Sequence, residues 1–334
     1  MRIVRDGVSH VALVGVVTLL LVVAQAGVEA AEPFSTGNGI RVVLLGTQSG
    51  PTFNAQRIGI GTLVEAGGER LLFDAGRGVT TGMARAAINP VDVTKIFLTH
   101  LHSDHVISLP ELLVYPWAQG RRTALDVWGP SGTRSMMQKF QEALAYDIHV
   151  RRDIDEKFPA EGVKTRVTDI REGTVYQSGG LKVTAFLVDH SPVKPAFGYR
   201  VDFAGHSVAI SGDTKPSENL VKAASRVDLL IHEVGRWKGD PALTGPPDEL
   251  MPNSRQTKAE ARTIAAHHTD GVEVGAIFDR VKPRLAVLSH YNVDPRATLM
   301  LIRQNYAGPV EFGEDSMTIE VGDEVSVHRA TPAR

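Results

Sequence analysis

Cysteine is absent from all 334 residues of this chain. Without thiols there is no disulfide to brace the fold and no thiolate to hold a metal, so stability has to come from a core and any metal site from imidazole and carboxylate. An excess of either charge is lacking as well: 36 Lys and Arg against 38 Asp and Glu leave a formal net charge of -2. A polyanion binder usually carries a basic excess or a basic stripe, so this balance gives no electrostatic reason to expect a nucleic-acid partner. The short pairs Arg121-Arg122 and Arg151-Arg152 read as solvated surface. No internal repeat and no low-complexity tract interrupts the chain. A long hydrophobic run occurs at the N-terminus, where Arg2 and Arg5 precede Val11 to Ala24 and Ala26-Gly27-Val28-Glu29-Ala30-Ala31 follows. The run is short for a membrane span, and its charged start and small-residue end are those of a secretory signal peptide cleaved after Ala30. Residues 1–30 are therefore expected to leave, and residues 31–334 to form one periplasmic or secreted domain with no stable membrane anchor.

What the chain does have is 43% hydrophobic residues, enough for a large core. Apolar runs of strand length occur at Arg41 to Leu45, Thr62 to Ala66, Arg70 to Phe73, Lys95 to Leu98, Leu125 to Trp128, Lys182 to Val188, Gly198 to Asp202, Ser207 to Ile210, Leu229 to Ile231, Arg284 to Leu288 and Met317 to Val321. Between them, helical spacing predicts Leu109 to Val114, Thr133 to Ala145, Glu218 to Ala224, Lys258 to His267 and Arg296 to Asn305, the last opened by Asp294 and Pro295. Gly235 to Ser254, with Pro241, Pro246, Pro247 and Pro252, reads as a long surface loop bordering a site.

Directly after the apolar stretch Ile96-Phe97-Leu98 stands Thr99-His100-Leu101-His102-Ser103-Asp104-His105. Three imidazoles and a carboxylate in one short loop offer borderline and hard ligands to neighbouring ions. Packing explains them poorly, since four polar groups crowded at a strand end would each need a partner if buried. Further ligand types end later apolar runs: His190 in Val188-Asp189-His190-Ser191, Asp213 in Ile210-Ser211-Gly212-Asp213-Thr214, and His290 in Val287-Leu288-Ser289-His290-Tyr291. Strand ends are where a rigid sheet can aim side chains into one cleft.

The HxHxDH spacing and the order of these motifs resemble the metallo-β-lactamase superfamily over roughly residues 40 to 325. The resemblance implies an α/β fold of αββα type, two mixed sheets flanked by helices. It also implies two Zn2+ per chain, with His100, His102 and His190 on one ion, Asp104, His105 and His290 on the other, and Asp213 bridging. Leu72-Phe73-Asp74-Ala75-Gly76 matches the family's first motif, whose Asp orients ligands. In the tRNase Z-like branch a catalytic His is paired with the Glu of a His-Glu-Ala motif. The match falls on His268 and on His232-Glu233-Val234, where Val departs from the pattern. Asp104, His268 and Glu233 are thus the expected catalytic residues, whereas His149, His206 and His328 read as ordinary side chains.

The tRNase Z pattern usually includes a long arm between the Gly-Tyr-Arg and Gly-Asp-Thr motifs. Here Tyr199 and Asp213 enclose only a hairpin, Val201 to Ile210. The segments Trp128 to Arg134, Pro192 to Arg200 and Gly212 to Leu220 look instead like the arylsulfatase-like branch. The expected activity is therefore hydrolysis of a small-molecule anionic ester, an aryl sulfate, by an exported dizinc enzyme, with no nucleic acid as partner. The alternatives are phosphodiesterase or ribonuclease Z-like activity and a non-catalytic binding protein on the same fold; a homodimer is left open. Export has its own test: N-terminal sequencing of the mature protein should begin near Ala31, and a cytosolic chain retaining Met1 would refute it.

Overall fold

Strand β1 (Ile40–Gly46) is buried at all but one of its positions, so both of its faces must be covered. Val42 and Leu44 point to one hydrophobic cluster, Val43 and Leu45 to another, as the two-residue period of a strand requires. The computed structural model describes residues 37–52, 54–252 and 254–329, and the signal-peptide expectation for residues 1–30 lies outside them. In chain order the remaining strands are β2 (Gly61–Ala66), β3 (Glu69–Phe73), β4 (Lys95–Phe97), β5 (Leu125–Gly129), β6 (Thr165–Asp169), β7 (Gly173–Ser178), β8 (Leu181–His190), β9 (Val193–Phe203), β10 (His206–Ile210), β11 (Leu229–Val234), β12 (Leu285–Tyr291), β13 (Val310–Phe312), β14 (Met317–Val321) and β15 (Val325–His328). The helices among the described residues are α1 (Val79–Arg85), α2 (Ser103–Val106), α3 (Leu109–Ala118), α4 (Thr133–Ala143), α5 (Ala145–His149), α6 (Glu218–Ala223), α7 (Lys258–Ala265), α8 (Gly271–Val281) and α9 (Pro295–Ile302).

Two mixed sheets result, ordered β15-β14-β1-β2-β3-β4-β5-β6 and β13-β12-β11-β10-β9-β8-β7. Their facing sides share one core that includes Val42, Phe73, Phe97, Tyr199, Val201, Ile231 and Val287. Phe97 is its aromatic hub, stacked at 5.1 Å on Phe73 and 4.7 Å on Trp128. The outer face of the first sheet packs on α1, α3 and α4 through Val79, Met83, Leu109 and Met137. That of the second packs on α8 and α9 through Val274, Phe278 and Ile302. This is the expected αββα layering. Parallel pairs β3-β4-β5-β6 and β10-β11-β12-β13 need crossovers, which the helices supply.

The sequence reading misses α8, whose Gly271-Val272-Glu273-Val274-Gly275 start looks strand-like. Its signal was present as a capping box, with Asp270 accepting from the Glu273 amide and Glu273 accepting from the Asp270 amide. It also stops α3 at Val114, whereas the helix continues through Pro116 to Ala118. Pro116 has no N–H for the Leu112 carbonyl. Arg121 takes its place: the guanidinium donates to Leu112 O at 2.8 Å, Leu113 O at 2.7 Å and Gly162 O at 3.0 Å. Arg121 is therefore no solvated surface residue. It is 2% exposed, and desolvation pulls its guanidinium down to about 10.

Arg121→Met should lower the unfolding free energy by roughly 2 to 4 kcal/mol in a urea titration, because buried carbonyls lose charged donors. Arg122→Met, at the exposed neighbour, should stay within about 0.5 kcal/mol of wild type. Equal effects of the two would restore the surface reading of both.

Candidate metal centre

One edge of the sandwich collects the chemistry. β4 runs through Leu98 and Thr99 into the His100–His105 loop, β10 leads to Asp213, β11 ends at Glu233-Val234, β12 at His290-Tyr291, and β8 ends at His190. The parallel strands β10, β11 and β12 of the second sheet and β4 of the first carry these donors just beyond their C-terminal ends, where open α/β sheets place ligands. Gly212 makes the turn into Asp213: its φ is +60°, and a Cβ there would lie 2.5 Å from Phe197 O.

Three imidazoles converge on one point, with His102 Nδ1 3.1 Å from His100 Nε2 and 3.3 Å from His190 Nε2. Asp213 Oδ2 stands 3.8 Å from His100 Nε2 and 3.9 Å from His190 Nε2. A second group joins His105 Nε2 to His290 Nε2 at 3.2 Å, with Asp104 Oδ2 3.2 Å from His290 Nε2. Asp213 reaches this group also, 3.4 Å from His105 Nε2 and 3.1 Å from His290 Nδ1. Nitrogens of a tetrahedral zinc site, each about 2.05 Å from the ion, are about 3.3 Å apart, so the spacing fits that donor set. His290 Nδ1, buried without a hydrogen-bond partner, is a further unsatisfied donor or acceptor at this place.

The opposite ring nitrogens are engaged from behind. His190 Nδ1 donates to His267 O at 3.1 Å, His105 Nδ1 to Asp74 Oδ2 at 2.8 Å, and His100 Nδ1 lies 3.0 Å from Thr99 Oγ1. Such contacts fix tautomer and ring plane. Asp74 is in turn held by the Thr99 amide and hydroxyl, both at 2.9 Å.

Burial depresses the pKa of His100, His102 and His190, which keeps these imidazoles neutral and ready to ligate. His105 moves the other way: burial opposes its charge, but Asp213 and Asp74 raise it well above the ordinary value. Burial likewise opposes the charges of Asp104 and Asp213. The His290 hydrogen bond and the His105 charge nevertheless hold Asp104 below the carboxylate range, and His290 and His105 do the same for Asp213.

His268 follows α7 and stands over the centre, its ring centroid 5.9 Å from that of His290. Its Nδ1 is 3.2 Å from Glu233 Oε2. Glu233, 2% exposed, is aimed by the backbone amides of Thr269 at 2.9 Å and Thr214 at 3.3 Å. Burial works against the imidazolium, yet the carboxylate raises His268 to about 9. Asp213, His268 and His290 also lie close enough together to share an ion. The Glu233 contact favours a proton-carrying role for His268. His149 and His328 are solvent-facing, and His206 sits 4.0 Å from Asp228, away from the centre.

Sequence reasoning misses the clamp behind His290. Arg57 donates to Tyr291 O at 2.9 Å and Thr47 O at 2.8 Å while lying over the Tyr291 ring. Asp315 accepts from the Thr47 and Ile58 amides. No local pattern marks Arg57, because its partners are distant in sequence. In front of the centre a cleft of about 380 Å³ extends along α7 and parts of the 235–254 segment.

Residues 69–291 match the family model described as "Beta-lactamase superfamily domain". A ribonuclease Z from Mycobacterium sp. strain KMS is 33% identical over 307 residues, covering 87% of this chain and 99% of the relative. Among solved structures, the short form of human tRNase Z is 25% identical with a TM-score of 0.57, covering 84% of this chain and 99% of that one. A metallo-β-lactamase fold protein from Bacillus subtilis shares the fold at 16% identity and a TM-score of 0.63, with coverage of 84% and 99%. The ribonuclease Z relatives overturn two expectations: the aryl sulfate as substrate and the exclusion of nucleic acid as partner. The physical reason is that net charge counts fixed side chains across the whole surface, whereas ions in such a centre bring the local positive charge that a phosphate meets. With its strand-end donors, its two mixed sheets and these matches, the chain belongs to the β-lactamase superfamily and shares its metal-dependent hydrolase fold.

Proposed function

We propose that this chain is a metal-dependent phosphodiesterase acting on RNA, as the ribonuclease Z name of its relatives denotes. The observation that carries the proposal is their similarity along almost their whole length, 99% of the Mycobacterium relative. The nearness of one carboxylate, Asp213, to both donor groups supports it.

In this reading His100, His102 and His190 would hold one ion and Asp104, His105 and His290 a second, with Asp213 within reach of both groups. Two zinc ions would supply polarisation of the phosphoryl oxygens and acidification of an attacking water to near-neutral pKa. The chain's own residues do the rest. Asp74 and the His267 carbonyl keep the ligating rings in place. Glu233 orients His268 through Nδ1, leaving Nε2 free to give a proton to the leaving oxygen. Asp104, beside His290, would help hold the second ion. Export, from the residue 1–30 pattern, remains part of the proposal.

The turn between β9 and β10 is Ala204-Gly205, both at positive φ, as in a two-residue hairpin. No arm projects there, so RNA has to be held by other surfaces.

Purified protein should cleave a structured RNA at a defined bond in a metal-dependent way and carry about two zinc-like ions by elemental analysis. Asp213→Ala should lose at least one ion. A replete sample that never exceeds one ion would end the two-ion reading, and intact RNA at full occupancy would end the ribonuclease reading.

His268→Ala should keep both ions and lose roughly 100- to 10,000-fold in turnover on esters with poor leaving groups, but little on nitrophenyl esters. As an acid His268 works only while protonated, so activity falls as pH rises through its pKa. Removing the negative charge with Glu233→Gln lowers that pKa, and the alkaline limb of the kcat profile should shift to lower pH. Loss of metal from His268→Ala, or equal slowing of good and poor leaving groups, would make His268 a ligand or a positioning residue.

A further inference from the structure

We infer that the cleft beside the metal centre is a base pocket, taking one unpaired nucleobase of a nucleoside attached to the scissile phosphate. This rests on the ribonuclease reading and narrows it. The cleft is continuous with the candidate ligands: its floor includes His102, Asp104, Asp213 and His290, so whatever fills the rest is joined to the reacting ester. Its outer walls are apolar, with Met251, Ile264 and Ala265 on the α7 side and Val234 and Val293 among the remaining lining residues. On α7, Ala261 and Ala265 are spent in a small core with Leu243 and Met251. Ile264 is left out of that core, 45% exposed on the cleft. A neutral flat group is what such a wall stabilises, by stacking and apolar burial.

Charge argues against a second phosphate in the same space. Apart from the histidines, the cationic residue of the lining is Arg236, and it is paired with Asp240 at 2.8 Å. Free cations stand elsewhere. Lys194 and Lys215 flank the cleft in sequence beside His190 and Asp213, lie near Asp189, and make no ion pair or side-chain hydrogen bond among the described residues. Unpaired lysines outside the lining suit backbone phosphates, which charge attracts, better than they suit a base. Gln256 and Asn292 line the cleft with carboxamides that have no side-chain partner among the described residues, and these offer both donors and acceptors to a base edge.

The test uses the metal-loaded full chain and an RNA cleaved at one mapped bond, compared with the same RNA carrying an abasic ribose on either side of that bond. One of the two abasic RNAs should lose roughly 10- to 100-fold in kcat/KM, the magnitude of one stacked base. Ile264→Ser and, elsewhere on the lining, Val293→Ser should each shrink that ratio toward one, with metal content at the wild-type value. If both abasic RNAs are cleaved as fast as the parent, or if the variants slow all RNAs in proportion, the base pocket is wrong while the ribonuclease reading stands. If wild type cleaves none of them, that reading falls and the pocket with it.

Discussion

Asp213 is a carboxylate only 3% exposed, and no lysine or arginine is among its ion-pair partners in the described residues. It is ringed instead by four imidazoles, those of His100, His105, His190 and His290, and of these His105 is the one that the neighbouring carboxylates raise toward the charged form. A lone buried carboxylate costs several kcal/mol or changes protonation state. Here the cost is offset only if rings from three separate strand ends arrive together. The sandwich, the helical crossovers and the glycine turn at Gly212 are the means by which they do. The same requirement explains why the centre is fastened from behind. An imidazole that could swing away would leave the carboxylate uncompensated, and the contacts from Asp74, Thr99 and the His267 carbonyl prevent it.

His290 shows how far this fastening extends. Its φ is +48°, a left-handed conformation that is uncommon for a residue with a side chain. Such backbone strain persists where the surroundings over-determine it. The surroundings are Arg57 and the Thr47 carbonyl, which accepts the Tyr291 amide at 3.1 Å, with Asp315 holding the Thr47 loop in turn. The loop from Ser49 to Thr52 also lines the cleft. Part-buried hydrogen bonds thus connect the backbone beside His290 to the Thr47 loop, whose continuation lines the cleft.

Asp213 and Glu233 have different surroundings. Asp213 faces several rings, the surroundings of a candidate metal ligand. Glu233 faces one ring and two backbone amides, and its charge raises the pKa of His268. Both are buried to almost the same degree, so burial alone does not separate their roles. The partners do.

The sequence by itself determined the donor types, their crowding after β4, their order along the chain and the layered α/β class, because these are local: a strand end and its next few residues hold their geometry through the backbone alone. It marked Asp74, His268 and Glu233 through motif position. Tertiary structure decided what depends on residues far apart. Arg121 looked like surface and became the donor for carbonyls exposed by Pro116. Arg57 carried no local pattern, since its partners Thr47 and Tyr291 meet it through different strands. The α8 helix was hidden by apolar residues that read equally as strand, until packing of Val274 and Phe278 on the second sheet set the period. The balance of Lys and Arg against Asp and Glu misjudged the partner, because a sum over the surface has no position, whereas a phosphate responds to the field at one cleft. Local geometry is written residue by residue, but burial and field arise only when distant segments exclude water together.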